Sequence, residues 1–370
     1  MKILKIFLLL VGSIIAMPGY AQREDATPKA ALANTKKEAA CDNVCGCAGN
    51  TQAPLGIMTD HIHNKGRWML TYTYSSTMMQ GNNIGSMKAS DDDVFKNYMM
   101  APETMSMQMH MVMAMYGVTD RLTLMGMGGY MLSDMSMNMS GNMTGMPGMT
   151  MQMGGMTMLS SSSGFSDTRL SALYNFANGA KHRIIGSLGI SLPTGTVRAK
   201  GTTMLGDNQR LPYDMQTGSG SYSMVPDVTY ARKYGLFYCG VNVGADLKLN
   251  YNSLGYKYGN VYHGSAWAGY RFLPFLSATI RGEAVHTDKI SGSDPVSAIP
   301  VYQANDPTAN TANYGGSVAN LYTGLNFSLM KPVLEKFRLM VEYGMPLYQN
   351  LNGTQMALKS NLLAGVQYSF

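Results

Sequence analysis

The chain has 370 residues, of which only 14% are charged, with a net charge of +6 and 41 Gly beside 23 Tyr; an ordinary soluble domain is about 25% charged. So mild a positive charge argues against a nucleic-acid partner. No stretch past the first 21 residues approaches the ~20 continuous apolar residues of a membrane-spanning helix, so entry into a membrane would have to be by strands.

Residues 1–21 read as a secretory signal. Lys2 and Lys5 precede an apolar run from Ile6 to Ile15, and Gly19-Tyr20-Ala21 puts small residues at the cleavage positions. No Cys sits just after that point, which argues against a lipid anchor. Residues 22–53, rich in Ala, Lys and Thr without periodicity, read as a short disordered periplasmic linker. The linker holds Cys41, Cys45 and Cys47, whose spacing matches no standard zinc pattern and leaves a disulfide, idle thiols or a soft-metal contact open. His61 and His63, with Asp60 and Met58, then form an H-x-H cluster just ahead of the first strand. At the periplasmic rim that pair is a candidate metal site or plain polar surface.

From residue 54 to 370 the chain resolves into about twelve alternating segments, approximately 66–79, 104–117, 120–134, 166–177, 181–193, 221–233, 235–250, 258–272, 274–287, 316–329, 335–347 and 357–370. Each is long enough for a tilted transmembrane strand of ~9–11 residues. Every second connection is tight, and those between are mostly long: 80–103, 135–165, 194–220, 288–315 and 348–356. Short turns on one rim and long loops on the other predict an all-β, antiparallel up-and-down barrel in the outer membrane of a Gram-negative bacterium. Leu362, Ala364, Val366, Tyr368 and Phe370 share one face of the last strand. A terminal Tyr-Ser-Phe of this kind resembles the closing signal read by the barrel-assembly machinery. With the apolar faces turned to membrane lipid, the opposite faces place Arg169, Arg183, Asp227, Asp246, Lys248, His263, Arg271, Arg281, Glu283, Lys336, Arg338 and Glu342 in the lumen. That predicts a polar interior of mixed sign, held by ion pairs or forming a polar solute path, and not a greasy duct.

Methionine dominates one stretch. Met105, Met107, Met109, Met111, Met113 and Met115 recur at every second position, a strand's period, opposite Ser106, Gln108 and His110. The simplest expectation is that these six thioethers face lipid as flexible apolar fillers. Residues 135–158 then read as a flexible extracellular loop carrying Met135, Met137, Met139, Met143, Met146, Met149, Met151, Met153, Met156 and Met158 among Gly, Ser, Asn and Thr. Thioether sulfur is a soft neutral ligand that selects Cu(I) or Ag(I), and its repetition in a pliable loop suits capture of such ions. A plug or low-complexity drift is the alternative reading of that loop.

Several motifs resemble the outer-membrane transporters grouped as the MetA-pathway of phenol degradation family. They include Pro54-Leu55-Gly56-Ile57-Met58, His61-x-His63-x-Lys65-Gly66-x-Trp68-Met69, Asp120-Arg121-Leu122-Thr123-Leu124-Met125, Ser191-Leu192-Pro193-Thr194-Gly195 and Gly344-Met345-Pro346-Leu347-Tyr348-Gln349. The resemblance implies a barrel that moves small solutes and supplies no catalytic residue. The expectation is therefore a transporter or channel linked to soft metal ions, with small organic or aromatic compounds as the alternative cargo. An enzyme is not expected: Asp91-Asp92-Asp93 offers acid, but none of the long loops holds a His.

Overall fold

The computed structural model describes residues 53–140, 156–179, 182–328 and 336–370. The signal, nearly all of the linker and its three cysteines lie outside them. The chain runs along β1 (Trp68–Gly85), then folds β2 (Met87–Ala89) and the short helix α1 (Asp91–Phe95) at its far end. It returns along β3 (Met100–Gly117) and runs out again along β4 (Leu122–Met139). β5 (Thr157–Phe165) lies against the far part of β4 before β6 (Thr168–Asn178) and β7 (His182–Leu192) resume the wall. A hairpin of β8 (Lys200–Thr203) and β9 (Gly206–Arg210) precedes β10 (Ser223–Tyr234) and β11 (Phe237–Lys248). The rest comprises β12 (Tyr256–Lys257), β13 (Val261–Leu273), β14 (Leu276–Thr287), β15 (Ser291–Gly292), helix α2 (Pro300–Asn305), β16 (Gly316–Ser328) and β17 (Phe337–Ser369).

Eleven of these strands close into an antiparallel barrel in the order β17-β16-β14-β13-β11-β10-β7-β6-β4-β3-β1, with β17 pairing back onto β1. β17 pairs with β16 along Arg338–Leu351 and with β1 along Leu351–Ser369. Both pairings are antiparallel while β16 and β1 run in opposite directions, so β17 doubles back near Gly353, whose φ of 60° suits a turn. Eleven strands thus make twelve crossings of the wall. Closure leaves no unpaired edge, the condition for placing strands in hydrocarbon. Among the described residues no helix is long and apolar enough to cross a membrane.

The outer surface follows the side-chain period of two. Leu70, Val112, Leu124, Leu170, Leu188, Val228, Val243, Ile280, Leu325, Val341 and Val366 are all exposed. At the short-turn rim they give way to Trp68, Phe176, Tyr234, Phe237, Tyr270, Phe272, Phe275 and Phe370, an aromatic girdle of the kind that marks a membrane interface. Tyr130, Phe165, Tyr222 and Tyr262 supply exposed aromatics toward the long-loop rim, taken as outer. β1, β3 and β4 have 18 residues against 11 to 13 in β6, β7, β10, β11, β13, β14 and β16. At ~3.3 Å per residue the surplus raises one side of the wall by roughly 15–20 Å.

Two expectations change. The loop set at 135–158 begins later, because the Met135-x-Met137-x-Met139 alternation continues β4, while Thr157 and Met158 already belong to β5. His61 and His63 do not sit at an open rim: residues 53–63 enter the barrel as a luminal plug, with His61 7% and His63 3% exposed. The wall holds this plug by hydrogen bonds from many sides. Arg338 Nη2 donates to Ala53 O (2.6 Å), Gly56 N to Glu342 Oε2 (2.7 Å) and Thr59 Oγ1 to Asp227 Oδ1 (2.6 Å). Arg183 Nη1 donates to Asp60 O (3.3 Å) and His63 N to Thr123 Oγ1 (2.9 Å).

Arg281, 2% exposed, is neutralised by Glu283 at 2.9 Å and Glu342 at 3.3 Å, with its guanidinium 3.8 Å over the Tyr322 ring. Replacing Glu342 takes from Arg281 one of its two carboxylate partners and leaves the Gly56 N–H without its acceptor, an unpaired buried donor worth about 1–3 kcal/mol. Glu342→Leu is therefore expected to lower the temperature at which the folded barrel loses its compact migration on a gel, and a shift no larger than that of Leu339→Ala on the lipid face would contradict this.

Candidate translocation path

The methionines line the inside of the barrel. Met105, Met113 and Met115 of β3 are 1%, 7% and 0% exposed, whereas Val112 on the opposite face is 52% exposed. The expectation that they face lipid is overturned, and the reason is visible in the other face. Val112, Ala114 and Tyr116 suit lipid as well as methionine does, so hydrophobicity alone does not choose a side. The polar members of that face satisfy one another on the surface: Tyr72 Oη meets His110 Nδ1 at 2.7 Å and Tyr74 Oη donates to Gln108 Oε1 at 3.1 Å.

Register multiplies the effect. β3 pairs with β4 so that Met115 lies opposite Met125, Met113 opposite Met127, Met109 opposite Met131 and Met105 opposite Met135. β1 adds Met69 opposite Met115 and Met79 opposite Met105. Partners across a pair point to the same face, so a ladder of thioethers climbs the inner wall, with neighbouring odd-numbered positions ~7 Å apart. The lower end, Met69, Met113, Met115 and Met125, is buried with Ile62, Leu173 and Ile185 against Met58 and Met127. The upper end, Met100, Met105, Met135 and Met137, packs with Leu211 and Met215, and with Met79, Met107, Met158, Met204 and Met356 around them. Met139 ends β4 opposite Met100, and Met156 is 53% exposed. Met143, Met146, Met149, Met151 and Met153 lie outside the described residues.

The charged side chains assigned to the lumen form the other side of the same interior. Asp246 takes Arg169 at 3.0 Å and Lys248 at 3.0 Å, and His263 Nε2 lies 3.3 Å from Asp227 Oδ2. Arg183, Arg281, Arg338 and Glu342 touch or flank the plug as described above, with Glu283 pairing Arg281; Arg271, near the inner end of β13, is intermediate in exposure. Gly56 marks how tightly the two fit: a Cβ there would collide with the Arg281 guanidinium. Gly365 likewise leaves room for Leu55, whose Cδ1 would lie 2.8 Å from an added Cβ.

Between plug and ladder lies a small cavity of about 30 Å3, lined by the thioethers of Met58, Met69, Met111, Met113, Met127 and Met340 together with His61. Asp60 Oδ1 binds His61 Nδ1 at 2.5 Å, and His61 Nε2 faces Met69 Sδ at 3.4 Å. Among the described residues no three His, Cys, Asp or Glu side chains converge as a metal cage. The two histidines therefore acquire a metal-binding context only through sulfur. The sequence signal for this was available but mute: the odd-numbered run in β3 and the odd-numbered run from Met125 to Met137 share a face once the turn between them is fixed.

Near the outer rim a second cavity, about 380 Å3, is lined by Tyr213, Asp214, Gln216, Lys248, Tyr258 and Tyr314. Asp214 Oδ1 is shielded from solvent without a hydrogen-bond partner, and burial and then the nearby Asp306 push its carboxyl up to about 7. Burial raises Asp306 to about 6 against the hydrogen bonds it accepts from Thr308.

A closed, lipid-faced barrel with two aromatic girdles defines an outer-membrane β-barrel protein. The sequence profile of the MetA-pathway of phenol degradation family matches residues 116–331, and the chain belongs to that family. The fold is similar to the COG4313 outer membrane channel from Pseudomonas putida F1, at 15% identity and a TM-score of 0.54, covering 83% of this chain and 96% of that one. Looser matches include the AIDA-I autotransporter transport unit from Escherichia coli (9% identity, TM-score 0.44, 85% and 94% covered) and a Pseudomonas aeruginosa FadL homologue (8%, 0.38, 82% and 90%). Among curated proteins none matches the chain in sequence.

Two outcomes are expected. Replacing Gly56 by Leu displaces the plug from Arg281, so the variant should show severalfold higher single-channel conductance in planar bilayers than the parent; an unchanged conductance would count against the plug as the block. In the outer cap, Asp214 and Asp306 have folded pKa values above the unfolded value. Their contribution to cap stability is complete at pH below about 4 and is lost as pH rises through 6 to 7. Amide protection relative to the unfolded chain in 211–216 and 302–309 should fall over that range, and Asp214→Asn should flatten the dependence.

Proposed function

We propose that this outer-membrane barrel is a channel or transporter for small solutes and that its preferred cargo is a soft monovalent metal ion, Cu(I) or Ag(I). One observation carries the reading: the thioethers face the lumen in register on three adjacent strands, where lipid-facing methionines would have served only as apolar filler. A thioether is neutral, keeps its lone pairs at any pH and ranks Cu(I) and Ag(I) above hard cations. A ladder of such groups lets an ion exchange one sulfur for the next without meeting a deep well. Met143, Met146, Met149, Met151 and Met153, with Met135, Met137, Met139, Met156 and Met158 flanking them in sequence, serve in this reading as soft-ion capture ligands. The charged wall positions the plug and keeps the rest of the lumen wet. The closing strand ending Tyr368-Ser369-Phe370 is the segment we assign to the barrel-assembly machinery.

The outer cavity supports a second reading, small organic or aromatic compounds, because Tyr213, Tyr258 and Tyr314 offer ring faces and hydroxyls to a space of about 380 Å3. The two readings separate in one assay. Proteoliposomes under reducing conditions should take up Ag(I) at a rate that falls at least tenfold when Met109, Met111 and Met131 are all replaced by Leu, while Na+ conductance is unchanged. Equal Ag(I) uptake by both proteins would sink the soft-ion path, and phenol flux insensitive to these substitutions would favour the organic cargo.

A further inference from the structure

We infer that the plug carries a discrete soft-ion binding site at the inner end of the path, built from His61 Nε2 and Met69 Sδ with His63 Nε2 as the third donor. The inference rests on the soft-ion reading and goes beyond it, since a conduction ladder needs no fixed site. It begins with a tautomer. Asp60 Oδ1, 2.5 Å from His61 Nδ1, takes the proton-bearing side of the ring, so that in the neutral imidazole it is Nε2 that carries the lone pair. That lone pair faces Met69 Sδ, another lone-pair atom, at 3.4 Å in a buried setting. Two acceptors turned toward each other in an interior are mutually unfavourable unless a cation lies between them.

The spacing fits such a cation. Taking zinc's bond lengths to histidine nitrogen and to sulfur, about 2.0 and 2.3 Å, as a guide, a nitrogen–sulfur separation of 3.4 Å corresponds to an angle at the metal of roughly 105°, an open angle that one ion can span. His63 is the independent pointer. Its ring lies edge-on to His61 with centroids 5.1 Å apart, it is 3% exposed, and its Nε2 is buried without a hydrogen-bond partner. A buried imidazole nitrogen without a partner is a standing cost in a folded protein, and a metal bond removes it. Gln367 Nε2 donates to Met69 Sδ and so fixes the thioether in place. Asp60 supplies one negative charge beside the site, enough to balance a monovalent ion, and Met58, Met111, Met113 and Met127 around the same cavity give an incoming or leaving ion further sulfurs. His61 and His63 belong to the plug and Met69 to the wall, so an ion bound here ties the two together.

The test uses the purified full-length barrel in detergent, with Ag(I) as the probe and a chromophoric chelator as competitor. One tight equivalent is expected, weakened at least tenfold by Met69→Leu and by His61→Phe, and retained when Met105, Met107, Met135 and Met137 are replaced by Leu. X-ray absorption of the loaded protein should show a mixed nitrogen and sulfur shell. Retention of heat-modifiable gel migration establishes that each variant is folded, and His61→Gln gives a smaller polar replacement should the phenylalanine fail. Tight binding that survives both single substitutions, or a shell of sulfur alone, overturns the site. Ladder-dependent Ag(I) uptake without any tight equivalent overturns the site and leaves the transport reading intact, whereas absence of both removes the two together.

Discussion

The structure depends on the closed antiparallel hydrogen-bond ladder and the two-residue period it imposes. In hydrocarbon every backbone donor and acceptor must be paired within the protein, so the wall has no freedom to slip without losing bonds that water cannot replace. Once β1, β3 and β4 are locked in that ladder, the parity of each residue number decides which side of the membrane wall it serves. Odd positions from Met69 to Met79 in β1, Met105 to Met115 in β3 and Met125 to Met137 in β4 fall inside together. A one-residue slip in any of the three would turn its thioethers to lipid. The methionine path is thus a consequence of register, and no contact between sulfurs is needed to assemble it.

The interior divides by chemistry. One side of the lumen is thioether; the other, from β6 round to β17, holds Arg169, Asp246, Lys248, Asp227, His263, Arg281, Glu283, Arg338 and Glu342, most of them in pairs. The plug sits where the two meet. Its backbone is bound by the charged side through Ala53, Gly56 and Asp60, while Met58, His61 and Ile62 turn to the methionines. Charges that would be costly to bury alone are satisfied by a segment of the chain's own backbone, and that backbone in turn carries the soft-ligand side chains to the inner end of the path.

Much of the barrel was legible in the sequence because its signals are local and repeated. Strand spans and the alternation of tight turns with long loops follow from a period of two measured against lipid on one side. The direction of the methionine face was not legible. Where Val112, Ala114 and Tyr116 stand opposite Met111, Met113 and Met115, both faces are apolar, and only pairing with neighbours decides. The plug was equally hidden, since its bonds to Arg338, Glu342, Asp227 and Thr123 join residues from 60 to nearly 290 positions apart. The outer hairpins, β5, and the buried Asp214 and Asp306 lie in loops whose short irregular pieces carry no periodicity.

A lumen lined by thioethers in register forms, in the function proposed above, an ion path inside the barrel. The most direct measurement is anomalous diffraction from crystals of the barrel soaked in Ag(I), with data collected on either side of the silver edge. The account predicts silver peaks inside the lumen, beside Met109, Met111 and Met131 along the wall and between His61 and Met69 at the plug. Silver confined to exposed residues at the outer rim, with a lumen free of peaks, would contradict it and leave the methionine wall as packing alone.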